Sequence, residues 1–234
     1  TGQIIMTNVT PAQPLRRAKT DILDDCFGFH DFVNPTREDF RHGKTTYTLI
    51  QSLPKPSYLE YDISPATIQN LTASLHTADG KRVAYFKAAA YRPKGCSAPR
   101  FVESCDAFSQ SVFDMAEVLD ECFVLDDLPT RSIIVSIDRI AIHPAHAGKG
   151  LMTALMKHLL PQLSKKPTIA ILKAFPLECE GTAENPSPDF HALQAGLVDY
   201  YARTLGMAPL PGSHGKEGWL YLAKVPLHDW ADLT

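Results

Sequence analysis

The sequence predicts an α/β domain, and three observations predict it. Ile133, Ile134, Val135, Ile137, Ile140 and Ile142 form a β-branched run with the composition of a central, largely buried strand. The half of the chain that starts there alternates strand, glycine turn, helix, strand and helix, and closes on two further strands. Before it, two apolar runs flank Asp79-Gly80, a two-residue hairpin signal.

Size and composition bound the rest. At 234 residues one large domain with an N-terminal extension is expected. With 44% apolar and 21% charged residues there is enough apolar material for a sizeable core, which excludes global disorder. Lys and Arg number 23 against 26 Asp and Glu, a formal charge of -3, so no basic field spans the chain and neither nucleic acid nor a membrane is expected as a partner. No run of apolar residues reaches membrane-spanning length and residues 1–10 lack a secretory pattern, so a soluble, cytoplasmic protein is expected. Cys26, Cys96, Cys105, Cys122 and Cys179 are odd in number and never spaced C-x-x-C, which indicates neither a disulfide framework nor a zinc knuckle.

Along the chain, six of the 18 prolines fall in the first 65 residues, and 33–65 reads as irregular. Residues 1–66 are therefore read as an arm and 67–234 as the core. The aromatic-rich 26–32 is the best ordered candidate within the arm and could serve a homodimer. Strands are predicted over 67–77 and 82–91. Phe108, Val112, Met115, Leu119 and Cys122 recur at helical steps and predict one amphipathic helix over 106–123. A second helix over 148–160 shows Leu151, Leu155 and Leu159 on one face, with Met152 and Met156. A buried strand over 168–175 and a loop over 181–188 follow. Ser187-Pro188 then reads as the N-cap and first position of a helix striped by Phe190, Leu193, Leu197, Tyr201 and Leu205 and stopped by Gly206. The last two strands flank 212–218.

The densest glycine signal lies between the central strand and its helix. Ala147, Gly148, Lys149, Gly150, Leu151 and Met152 place backbone N–H groups at a positive helix end, where an anion can approach closely. The loop is not a Walker loop, since Gly148-Lys149 is followed by Gly150 rather than Ser or Thr, and Thr153 stands where a dinucleotide fingerprint has its third glycine.

The stretch 137–156 resembles the acyl-CoA-binding motif of the GNAT superfamily of N-acetyltransferases. Ile140-Ala141-Ile142, His143-Pro144, Gly148, Gly150 and Leu155 carry the likeness, which extends more loosely over about 67–225. The helix end Tyr200-Tyr201 through Gly206-Met207 is similar to the family's second signature, with one extra residue before the glycine. Ala147 departs from the family's Arg or Gln, and Met152 from its final Gly or Ala.

The resemblance implies a GNAT-like αβα fold: a central mixed, mostly antiparallel sheet, here with an N-terminal extension and an inserted helix between strands 3 and 4. It implies an N-acetyltransferase that moves an acetyl or other short acyl group from acetyl-CoA or another acyl-CoA to a primary amine, small-molecule or peptide, by direct transfer. Main-chain groups of Ile140, Ala141 and Ile142 would pair with pantetheine, and the loop from Ala147 to Met152, including Lys149 and Leu151, would hold the pyrophosphate.

An ammonium has no lone pair, so a proton acceptor is needed before attack. Asp138 and Ser136 share a strand face, and Asp138 is the chosen base, Ser136 its neighbour; its other reading is an ion pair with Arg139. Tyr201, or Tyr200 if the extra residue shifts the register, would protonate the CoA thiolate, although Tyr201 also fits the apolar stripe. His143 and His146 lack a third ligand nearby, so no metal is expected. The competing reading, built on Ala147 and Met152, is a non-catalytic GNAT scaffold.

Overall fold

The computed structural model describes residues 32–59, 65–179 and 188–227. The expectations for 26–31, for the 181–187 loop and for the Ser187 cap lie outside the described residues.

One mixed sheet organises everything else. Its strands are β1 (Thr36–His42), β2 (Thr45–Ser52), β3 (Ser57–Tyr58), β4 (Thr67–His76), β5 (Arg82–Arg92), β6 (Ile134–Ile142), β7 (Ile169–Lys173), β8 (Ala208–Pro209) and β9 (Trp219–Ala223). Their order is β1-β2-β4-β5-β6-β7-β9-β8, with β3 added beside β4. Every pairing is antiparallel except β6 with β7. That parallel pair requires a crossover, supplied by the helix α3 (Leu151–Leu163). The sheet is mixed and mostly antiparallel, as expected.

Helices cover both faces. On one, Leu151, Leu155, Met156 and Leu159 of α3 pack on Leu71, Phe86 and Val135, joined by Tyr201 of α4 (Pro188–Leu205). On the other, Phe101 of α1 (Ala98–Asp106) and Met115 and Leu119 of α2 (Gln110–Cys122) pack on Ile68, Tyr91, Ile134 and Ile171. A short α5 (Gly212–Lys216) precedes β9.

Three local readings are corrected. The helix expected over 106–123 is present as Gln110–Cys122, but a second, unexpected helix, Ala98–Asp106, precedes it, and Ala107 to Ser109 separate the two, with Ser109 fully extended (φ -172°). The insertion between β5 and β6 is therefore a helix pair. The described part of 33–65 is not irregular: β1 and β2 form a hairpin whose Gly43 takes φ +59° and whose Tyr47 and Leu49, two apart, both point into the core. The helix expected over 148–160 starts at Leu151, with Gly148 and Gly150 left in the preceding loop, and runs through Pro161, whose ring deletes one backbone bond near an end that Ser164 N–H to Leu160 C=O still closes (3.1 Å).

The far side of the sheet is tied to α4 by a buried amide. Gln194 Nε2 donates to the carbonyls of Ala174 (3.2 Å) and Glu217 (2.9 Å) beside Gly218. Gly218 has φ +91°, and a Cβ there would stand 2.6 Å from Gln194 Nε2 and 2.7 Å from Ala174 O. Gly218→Ala is expected to cost about 2 kcal/mol or more, from backbone strain and overpacking together, read as a lower midpoint in thermal or urea unfolding. An unchanged midpoint would contradict this packing.

Candidate functional site

The site begins where two strands part. β6 pairs with β5 out to Ile142, yet on its other side only Ile134 to Ile137 pair with Ile169 to Leu172 of β7. From Asp138 onward that edge has no strand partner among the described residues. Asp138 is also the extra residue of a β-bulge: Ala88 lies opposite Ile137 and Lys87 opposite Arg139. The bulge resets the side-chain alternation, so Ile140 and Ile142 continue the α3-side face begun by Val135 and Ile137.

Beyond the parting, β6 runs through a single 3-10 turn (Pro144–His146) into the glycine loop. Gly148 (φ +73°) and Gly150 (φ +74°) both take left-handed backbone, which only glycine adopts at little cost. Gly150 caps α3 without any side-chain capping bond, and the first closing bond is Ala154 N–H to Gly150 C=O (3.0 Å). The amides of Leu151, Met152 and Thr153 are thus the orphan donors of the first turn, at the positive end of a 13-residue helix. The β1–β2 hairpin braces this loop. His42 Nε2 lies 2.8 Å from the Lys149 carbonyl oxygen, and the Tyr47 hydroxyl 3.1 Å from His146 Nδ1.

A cavity of about 560 Å³ fills the space between the parted strands, the loop and α4. Ile140, Ala141, Ile142, Ala147, Gly148, Gly150, Leu151 and Met152 line it, so all but Lys149 of the expected binding set come together there. Lys149 turns aside, its Nζ donating to the Ala145 carbonyl (2.8 Å). Met152, 4% exposed, sinks most of its bulk into the core beneath the loop. Tyr200, Tyr201, Phe175 and Leu177 line the same cavity. A long anionic chain molecule fits these residues: unpaired strand edge, apolar walls and clustered N–H donors.

Asp138 and Tyr201 meet in a small cleft between the parted strands, with Phe175 and Leu177. Phe175 and Leu177 continue into a second cavity of about 450 Å³ on the α2 side, which Asp138 and Ser136 also line. Asp138 therefore sits where two cavities connect. Ser136 Oγ donates to its Oδ1 at 2.6 Å, so the shared face read from the sequence is real. Asp138 is exposed, yet the walls of the cleft and of the cavity crowd around it. That surrounding mass pushes its carboxyl up to about 6, against the opposing pull of the Ser136 hydrogen bond and of Lys87 and Arg139. Tyr201 is 7% exposed, and burial raises its phenol well above the usual value, with Tyr200 adding to the rise. The Tyr200 hydroxyl shares a hydrogen bond with Thr153 Oγ1 (3.2 Å).

Sequence comparison agrees with this geometry. Residues 120–187 match the acetyltransferase (GNAT) family. The fold is GNAT-like. The family resemblance read from the loop is borne out, over a segment that runs from the end of α2 through β6, the glycine loop, α3 and β7. No curated protein matches the chain.

Among solved structures, similar GNAT-fold chains include the KacTA–DNA complex, at 12% identity over 66% of this chain and 67% of that one, TM-score 0.34. AtaT complexed with acetyl-methionyl-tRNAfMet shares 15% identity over 67% and 71%, TM-score 0.33. A Tyr-to-Phe mutant of the AtaT toxin, bound to the C-terminus of the antitoxin AtaR and acetyl-CoA, shares 14% over 66% and 67%, TM-score 0.31. Two of these are nucleic-acid complexes, and they correct the expectation that nucleic acid is excluded as a partner. Net charge over a whole chain was the wrong quantity for that exclusion, because a local surface decides such binding. No helix among the described residues is long and apolar enough to cross a membrane.

Proposed function

We propose that this GNAT-fold chain is an acyl-CoA-dependent N-acyltransferase that moves an acetyl or short acyl group to a primary amine by direct transfer. The observation that carries the reading is the parting of β6 from β7 at a bulged Asp138, with the glycine loop on one side of the opening and a second cavity on the other. The acyl-CoA would lie in the first cavity, its pyrophosphate on the amides of the loop, and would supply the thioester. The amine would enter from the second.

Chemistry then falls to two side chains. Asp138, held near pKa 6, is mostly ionised at neutral pH and is a stronger base than an ordinary carboxylate, suited to take a proton from the entering ammonium directly or through water. Ser136 holds the carboxylate in place. The C–N bond forms as the C–S bond breaks, and Tyr201 offers its hydroxyl proton to the departing thiolate. The nitrogen loses two protons overall, the sulfur gains one, and the remaining proton passes to water.

Tyr201→Phe is expected to lower kcat about 10²-fold with little change in KM for acetyl-CoA, followed by release of free CoA thiol. Tyr200→Phe, which removes only the bond to Thr153, is expected to do much less. The reverse ranking would move the acid to Tyr200.

A further inference from the structure

The second cavity says more about the acceptor than that it is an amine. Resting on the acyltransferase reading above, we infer that the acceptor is a small amine with an apolar body and a carboxylate or phosphate group near its nitrogen, held by Lys87. The cavity's volume, about 450 Å³, suits a small molecule. Apolar and polar groups share its walls, the apolar part made by Tyr91 from β5, Phe108, Val112 and Met115 from the inserted helix pair, and Phe175 and Trp219 opposite. Phe108 is 43% exposed, a large ring presented to the opening.

The anionic group follows from charge balance. Lys87 sits in the middle of β5, half-buried, on the same face as Ala89 and Tyr91, and it makes no ion pair among the described residues. Lys173, in the same wall, is engaged by Glu217 (3.6 Å) and lies over the Trp219 ring (5.3 Å). Asp114 is at the exposed rim, where its Oδ1 accepts from Gln110 Nε2 (2.7 Å). Asp138 faces two cations of this wall, Lys87 and Arg139, and offsets them only until it accepts a proton. At that point the half-buried ammonium loses a counter-charge in the same cavity wall, which is unfavourable for a partly desolvated cation. An acceptor that brings its own anion removes the cost at the step where it arises. Ser109 and Ser111, with hydroxyl oxygens 3.4 Å apart at the start of α2, line the same wall and offer further donors to a carboxylate or phosphate.

The test uses the full chain, saturating acetyl-CoA and amines in matched pairs: phenylalanine against phenethylamine, and O-phosphoethanolamine against ethanolamine, with phenylalanine methyl ester as a third arm. Acylated product is measured by mass and CoA by thiol release. In at least one pair the anionic member is expected to have a kcat/KM about tenfold higher or more. Which pair responds separates carboxylate from phosphate. Lys87→Met should collapse that ratio toward one, through KM for the anionic member. Any influence of Lys87 on Asp138 acts on both members alike, so the ratio isolates the contact. Equal rates within both pairs, or a preference for the methyl ester as expected of a peptide or aminoacyl-ester acceptor, would overturn the inference and leave the acyltransferase intact. If no amine in the panel is acylated, the inference also falls; the acyltransferase reading falls with it only if acetyl-CoA fails to bind as well.

Discussion

Asp138→Asn should lower kcat about 10²-fold or more with a good amine acceptor, the range spanned by positioned general bases. Asparagine keeps the shape and can still accept from Ser136 Oγ, so the loss reports proton transfer rather than collapse of the bulge. The pH profile sharpens the test. With its carboxyl near 6, the parent protein's kcat should rise across that pH, and the variant should lose that limb.

Stability provides an independent sign. A carboxyl whose pKa is raised in the folded state binds more protons there than in the unfolded chain between its ordinary value of 3.8 and about 6. Its contribution is therefore most favourable below that window and declines as pH rises through it. The variant should match or exceed the parent's melting temperature at pH 8 and lose that advantage at pH 4. A variant with undiminished kcat would remove Asp138 from the mechanism.

The second large effect is expected at Gly150. Its backbone is left-handed, and a β-branched residue there is strained whatever the space around it, although the nearest atom to an added Cβ, His42 Cε1, is 3.9 Å away. Gly150→Val should push the loop out of this conformation and turn the amides at the start of α3. Affinity for acetyl-CoA, measured by calorimetry, is expected to fall by at least about tenfold, equivalent to 1.4 kcal/mol of lost binding. Far-ultraviolet circular dichroism should be unchanged, because the loop precedes α3 and its core face is untouched. Unaltered affinity would mean that the loop does not hold the cofactor's phosphates.

Much of this was legible in the sequence because it is written locally. Asp79-Gly80 marks the β4–β5 hairpin, the apolar spacing of α3 and α4 gives their buried faces, and Gly206, with φ +69°, ends α4 as its position suggested. The glycine loop and the shared face of Ser136 and Asp138 were equally readable. The bulge was missed, yet its trace is present: Val135 and Ile137 are two apart, whereas Ile137 and Ile140 are three apart, a slip of parity within one strand. The β1–β2 hairpin was hidden by the surrounding prolines, although Tyr47 and Leu49 alternate as a half-buried strand should.

Other features had no local signal at all. His42 reaches Lys149 across 107 positions and Tyr47 reaches His146 across 99, contacts that exist only once the sheet has assembled. The break between α1 and α2 was overridden by an apolar stripe that continues in phase through Phe108, even though Phe108 lies on the surface. Where local spacing and tertiary packing disagree, as at the bulge and the inserted helix pair, the result is the second cavity beside Asp138.

The central claim is that the opening between β6 and β7 binds an acyl-CoA. Thermal unfolding with and without acetyl-CoA, with free adenosine nucleotides as controls, tests it most directly. Ligand at 100 times its dissociation constant stabilises the native state by about 2.7 kcal/mol, a rise of roughly 5 to 10 °C for a chain of this size. The account predicts such a rise with acetyl-CoA, none of comparable size with the nucleotides, and its loss in Gly150→Val. No shift at millimolar acetyl-CoA would contradict it and leave a GNAT fold that serves a purpose other than acyl transfer.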